Sequence, residues 1–217
     1  MGIILLDFGN GGTCRNNEDD ITDMLDWLAD VDPDRRCVVK WQLWDKGTEP
    51  QCSRLEWDVF NYAFREARDE GFRTTASVFD KPSLDFLLGY DIPFVKLANR
   101  PYLRHLARYV PRGIPIIVSF PWVDDEPTDP DEWNWYTKWM CCVSEYPAKE
   151  ETYTNFPEEM LRKGISDHTV GLDLWRKYHP SVWEKHYRLP DQKGPDCGPW
   201  CVTPDDLKEV LECGVTK

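Results

Sequence analysis

The sequence predicts a compact (β/α)8 TIM barrel that takes in residues 1–217 as one domain. Three observations predict it. Eight short β-rich runs recur along the chain, amphipathic helical stretches separate them, and 217 residues is an ordinary length for a single barrel.

The runs are "GIILLDF" (2–8), "RCVVKWQLW" (36–44), "FRTTASVF" (72–79), "IPFVKLA" (92–98), "IPIIVSF" (114–120), "KWMCCVSE" (138–145), "KGISDH" (163–168) and "SVWEKHY" (181–187). Each is rich in branched or aromatic residues and is bounded by turn formers. Between the second and third, "SRLEWDVFNYAFREARDEG" sets Leu55, Val59, Ala63 and Ala67 on one face. Its expected cap is Ser53 and its expected stop is Gly71. "KPSLDFLLG" reads as a short helix, and "TPDDLKEVLECG" as one capped by Thr203 with Pro204 in its first turn. One crossover breaks the pattern. "PWVDDEPTDPDEWNWYT" (121–137) is acidic and proline-rich, so a shortened helix or a loop is expected there, either as a lid or partner surface or as a solvated connection.

The composition, 41% hydrophobic with 11 tryptophans, is that of a globular chain. A formal charge of −13 argues against nucleic acid or an anionic membrane as partner. "MGIILLDF" carries no basic leader and no run reaches the ~20 apolar residues of a membrane helix, so a cytoplasmic protein with reduced thiols is expected. The eight cysteines include "CGPWC" (197–201), whose spacing is one residue too wide for CxxC. Ordinary buried or loop cysteines are the expectation there, with zinc binding as the weaker alternative.

Barrel chemistry sits at the C-terminal ends of the strands. The polar residues there are Asp7 and Asn10, Lys40 and Gln42, Ser77 and Asp80, Lys96 and Asn99, Ser119, Ser144 and Tyr146, Ser166 and His168, and Glu184 and His186. Lys40 and Lys96 lie inside apolar runs, where a charge needs compensation. Either they converge on an anionic ligand or they pair with buried carboxylates. His168 and His186, on consecutive strands, could reach one ion such as Mn²⁺, Zn²⁺ or Fe²⁺, or could each be a hydrogen-bonded structural residue. His105 and His179 read as surface residues.

The same residues carry a family resemblance. "VKWQ" (39–42) resembles the "VKFQ" of the sialic acid synthase (NeuB-type) family, "ASVFDKPSLDFLLGYDIPFVKL" its "STPFD…FL…PAFKI", and "IPIIVSF" its "KPIILSTG". "CCVSEYP" is similar to "HCTSEYP", "SDHTVG" keeps the "SDHT-G" block, "EKHY" stands for "EKHF" and "GPDC" for "GPDH". The blocks run in order over almost the whole chain.

The resemblance implies a TIM barrel that condenses phosphoenolpyruvate with an aldose such as N-acetylmannosamine, giving a nonulosonic 2-keto acid and phosphate. It implies His168 and His186 as metal ligands, for Mn²⁺ or Mg²⁺ in particular. Lys40, Ser77, Lys96, Ser119, Ser144 and Ser166 would bind phosphoenolpyruvate, Gln42, Tyr146 and Asp196 would face the sugar, and Glu184 and Asp7 would be the acidic residues near the reacting atoms. The family's antifreeze-like C-terminal domain is expected to be missing, so a homodimer or a separately encoded cap domain is an expected partner. Departures at Asp7, Ser77, Asn99, Ser144 and the first loop "GNGGTC" leave the acceptor open to a different or smaller aldehyde. "SFPW" (119–122), where the family has "STG", is expected to place bulk where phosphate would sit. The alternatives are a barrel that binds these ligands without turnover and a different metal-assisted aldol or lyase reaction.

Overall fold

Side-chain alternation in the eight strands decides what enters the barrel and what faces the helices. The structure, a computed structural model, describes residues 2–45, 47, 49, 53–121 and 137–213. The strands are β1 (Ile3–Asp7), β2 (Cys37–Leu43), β3 (Arg73–Val78), β4 (Val95–Leu97), β5 (Ile116–Phe120), β6 (Thr137–Cys142), β7 (Ile165–Asp167) and β8 (Val182–His186). They close in sequence order, with β1 paired in parallel to both β2 and β8. Each of the eight predicted runs overlaps one strand.

The barrel interior is built in two levels. At the lower level Leu5, Val38, Phe94, Ile117, Met140 and Val182 form an apolar floor. Two residues further along the strands, the inward positions become Asp7, Lys40, Lys96, Ser119, Cys142 and Glu184. The outward positions, among them Leu6, Val39, Trp41, Leu97, Val118 and Trp183, form the larger core with the helices. Burying such a side chain contributes about 1.5–3 kcal/mol.

Helix α1 (Glu18–Val31) follows β1. Asn17 caps it by accepting the Asp20 N–H at 3.1 Å, three acidic residues fill its first turn, and Ile21, Met24, Leu25 and Leu28 are buried. Helix α2 (Trp57–Asp69) begins three residues later than the Ser53 cap predicts, with no side-chain cap bond at Glu56. The cause is non-local. The Asn16 side chain donates to the Arg54 carbonyl and accepts the Glu56 N–H, both at 2.9 Å, which holds this segment out of the helix. Leu55 is therefore buried ahead of the helix, and the buried face is Phe60, Ala63, Phe64 and Ala67.

Helix α3 (Lys81–Leu87) occupies the predicted short stretch, capped by Asp80 in a capping box with Ser83. A 3₁₀ segment (Pro101–Tyr109) follows β4 and exposes His105. Short helices α4 (Glu150–Tyr153), α5 (Glu158–Lys163) and α6 (Asp173–Tyr178) serve the second half. Exposed His179 ends α6 in a left-handed conformation, φ 43°. Helix α7 (Pro204–Cys213) starts where Thr203 and Pro204 predict. Thr203 gives both its N–H and its hydroxyl to Asp206 at 2.8 Å, so its hydroxyl acts as a donor and not as the usual cap acceptor.

One charged pair lies on the outer face of the barrel. Lys185 and Asp167 are fully buried at 3.1 Å, and Asp167 also accepts from the Trp183 indole at 3.1 Å and from the Thr169 hydroxyl at 2.7 Å. Of the acidic crossover predicted at 121–137, residues 122–136 lie outside the described residues. Among the described residues no helix is long and apolar enough to cross a membrane.

Candidate active site at the barrel mouth

The polar upper level opens into a cleft of about 390 Å³ at the C-terminal ends of the strands. All thirteen residues named for the site line it: Asp7, Lys40, Gln42, Ser77, Lys96, Ser119, Ser144, Tyr146, Ser166, His168, Glu184, His186 and Asp196. Strand register explains the convergence. Asp7 pairs with Lys40 on one side and His186 on the other, Gln42 with Ser77, Ser77 with Lys96, and Ser166 with Glu184.

The centre is a charged cluster. Lys40 Nζ donates to Asp7 Oδ2 at 2.5 Å, to Ser77 Oγ at 3.2 Å and to Glu184 Oε1 at 3.3 Å. Lys96 Nζ lies 3.4 Å from Glu184 Oε2 and donates to Ser119 Oγ at 2.7 Å. The two lysines thus share carboxylates, which is how the barrel carries their charge. Burial alone would raise the Asp7 and Glu184 pKa values, but Lys40 beside Asp7, and Lys40 and Lys96 beside Glu184, hold both below the ordinary carboxylate range. Burial pulls Lys96 below the usual lysine value and Glu184 only partly offsets this, whereas Asp7 and Glu184 outweigh burial and raise Lys40.

The two imidazoles stand at the β7–β8 side, ring centroids 5.5 Å apart. His168 Nδ1 donates to the Val143 carbonyl at 2.6 Å, which fixes the tautomer and leaves Nε2 with its lone pair toward the cleft. Burial, and then His186, lower its pKa to about 3, so it is neutral near pH 7. His186 Nδ1 is buried without a hydrogen-bond partner. Tyr146 covers the pair, its ring 4.2 Å from that of His168 and edge-on to His186 at 5.8 Å. Among the described residues no three His, Cys, Asp or Glu side chains form a ready-made metal cage.

Asp196 reaches the cleft from the loop after β8. Asn10 Nδ2 donates to it at 2.6 Å and to Gln42 Oε1 at 3.3 Å, and Gln42 Nε2 donates to Asp7 Oδ2 at 3.0 Å. The Cys201 thiol donates to the Asp196 carbonyl at 2.8 Å, so this member of "CGPWC" fixes the loop.

Two expectations are corrected. Phe120 of "SFPW" does not put bulk in the cleft: Ser119 faces inward, so alternation turns Phe120 outward, against Trp139 and Phe156, while Trp122 lies outside the described residues. Asp80 does not line the cleft, because its carboxylate caps α3 through Ser83 N at 2.8 Å and holds Asp45 N at 2.6 Å. Sequence reasoning also missed lining residues, among them Trp44, Glu49, Ser53, Phe79, Arg100 and Cys142. Trp44, Phe79 and Cys142 continue the inward alternation of β2, β3 and β6 and could have been found that way; the others lie on loops.

Fold and site together define a closed parallel barrel with a histidine-bearing, lysine–carboxylate pocket at its C-terminal mouth. No protein-family model and no curated protein sequence matches the chain. Among solved structures, spore coat polysaccharide biosynthesis protein E from Chromobacterium violaceum superposes with a TM-score of 0.75 at 19% identity, over 98% of this chain and 73% of that one. N-acetylneuraminic acid (sialic acid) synthetase from Leptospira borgpetersenii gives 0.70 at 20% identity, over 97% and 81%. Truncated 3-deoxy-D-arabino-heptulosonate 7-phosphate synthase from Thermotoga maritima gives 0.67 at 11% identity, over 99% and 85%. At these identities the likeness establishes the fold.

Proposed function

We propose that this chain is a sialic acid synthase-like enzyme that condenses phosphoenolpyruvate with an aldose, with N-acetylmannosamine as the reference acceptor, to give a 2-keto acid and inorganic phosphate. One observation carries the reading: thirteen residues marked by the family's motifs, spread from position 7 to position 196, line a single cleft. The fold likeness to a sialic acid synthetase supports it.

His168 and His186 fit a divalent ion with open coordination positions, since one has its tautomer fixed with Nε2 toward the cleft, 3.4 Å from Ser166 Oγ, and the other has a buried Nδ1 with no hydrogen bond among the described residues. Mn²⁺, or Mg²⁺, Zn²⁺ or Fe²⁺ in its place, would supply Lewis acidity toward the aldehyde oxygen.

The chain's own groups account for the remaining chemistry. Lys96, Ser119, Ser77 and Ser166 offer donors to the carboxylate and phosphate of phosphoenolpyruvate, with Lys40 between the two carboxylates. A bond forms between C3 of phosphoenolpyruvate and the aldehyde carbon, water adds to C2, and the bond from C2 to the phosphate oxygen breaks. Glu184, held ionised by the lysines, can accept the proton lost by water, and Lys96 gives the developing charge a fixed cation in a water-poor site. Asp196, Gln42 and Tyr146 face the acceptor side.

The test is to incubate purified protein with Mn²⁺, phosphoenolpyruvate and N-acetylmannosamine, measuring phosphate release and the 2-keto acid by mass spectrometry. Sugar-dependent phosphate release that disappears in His168→Ala supports the reading. No release with any aldose, alongside saturable phosphoenolpyruvate binding, would instead favour a binding barrel without turnover.

A further inference from the structure

Three cations line the cleft: Lys40, Lys96 and Arg100. The two lysines lie on the floor, already committed to Asp7 and Glu184. Arg100 stands four residues beyond Lys96, where β4 leaves the barrel, with an extended backbone (φ −137°, ψ 109°) ahead of the Pro101 turn. Its side chain is exposed at the rim and forms no ion pair among the described residues.

An exposed arginine is unremarkable by itself; the polarity of the cleft gives this one a role. Asp7, His186 and Asp196 meet on the β8–β1–β2 side, while a further carboxylate, Glu49, stands at the rim, where it accepts from the Tyr102 hydroxyl at 3.1 Å. Amide and hydroxyl groups with the cation Lys96 gather on the β4–β6 side. There Asn99 donates to Ser144 Oγ at 2.9 Å and to the Cys142 carbonyl at 3.3 Å, and Lys96 donates to Ser119. An anionic end of a ligand is repelled by the first side and accepted by the second. Four carboxylates, Asp7, Glu49, Glu184 and Asp196, line the cleft against three cations, so a substrate carrying both a carboxylate and a phosphate needs every cation available. Arg100 is the one not already matched to a carboxylate.

We infer that Arg100 is a phosphate-binding residue of this site, its guanidinium closing from the rim on the phosphate of phosphoenolpyruvate beside Asn99 and Ser144. This rests on the functional reading above. Arginine suits the role because its planar fork can take two phosphate oxygens at once.

The experiment compares wild type, Arg100→Met and Arg100→Lys, each loaded with Mn²⁺, by calorimetric titration of phosphoenolpyruvate and by steady-state kinetics. Phosphoenolpyruvate affinity falls about tenfold in the methionine variant and recovers in part in the lysine variant. KM for phosphoenolpyruvate rises more than kcat falls, and inorganic phosphate competes with phosphoenolpyruvate less well than in wild type. Wild type that binds phosphoenolpyruvate while Arg100→Met binds it equally overturns this inference alone. So does a rise in KM confined to the aldose, which would put the phosphate or another anion on the acceptor. Wild type that binds no phosphoenolpyruvate overturns the functional reading itself.

Discussion

Replacing Lys40 with methionine tests how the barrel tolerates its buried charges. Lys40 is 2% exposed and lies within 3.3 Å of two carboxylates, so Lys40→Met keeps much of the side-chain bulk while stranding Asp7 and Glu184 with only Lys96 as a nearby lysine. Removing one partner from a buried charge network costs about 3–5 kcal/mol. For a chain of this length that corresponds to a fall in Tm of about 6–20 °C. The pH dependence has a definite sign. In the native protein the folded-state pKa of Asp7 is depressed, so its contribution is present above its unfolded value of about 3.9 and is lost as pH falls through the folded pKa. Without Lys40 the burial penalty on Asp7 and Glu184 is less opposed and their folded pKa values rise. The stability gap between variant and wild type is then largest at neutral pH and narrows as acid protonates both carboxyls. Urea unfolding at pH 7 and pH 4.5, followed by tryptophan fluorescence, reads this directly. A loss below about 1 kcal/mol at pH 7, or a gap that widens in acid, would refute the reasoning.

Further outcomes separate scaffold from site. Asp167→Ala strands the fully buried Lys185 outside the barrel, so it lowers stability by about 3–5 kcal/mol in urea unfolding while folded protein keeps wild-type phosphoenolpyruvate affinity in calorimetry. Asp80→Ala removes the cap of α3 and its bond to Asp45, for a loss of about 0.5–2 kcal/mol in thermal unfolding. His186→Ala weakens Mn²⁺ binding in a metal titration at least as much as the 10–100-fold typical of changes to supporting residues around a metal, and an unchanged affinity would exclude the histidine pair as ligands.

The strands were legible because branched residues and turn formers mark them locally, and alternation within them was enough to place Lys40, Lys96 and Glu184 inside. That same alternation, applied to "VSF" (118–120), already points Phe120 away from the cleft opposite to Ser119. Helix α1 went unmarked although Asn17, its acidic first turn and the spacing of Ile21, Met24, Leu25 and Leu28 were all in the sequence. Heavy acidic decoration hid an ordinary amphipathic pattern. The start of α2 was beyond local reading, because Asn16 sets it from 40 positions away. Arg100, Glu49 and Ser53 escaped for a related reason: a loop residue lines the cleft only once the path of the loop is known.

The seam of the barrel has a consequence for how the site comes into being. Strand β1 closes against β8, and Asn10 grips Asp196 across 186 positions of chain. A nascent chain that has laid down the first seven strands holds both lysines but neither Glu184 nor His186, so its cluster carries excess positive charge facing an open edge. The cluster is balanced only when the last strand docks. Closure of the barrel and completion of the charged cluster therefore depend on the same strand, β8.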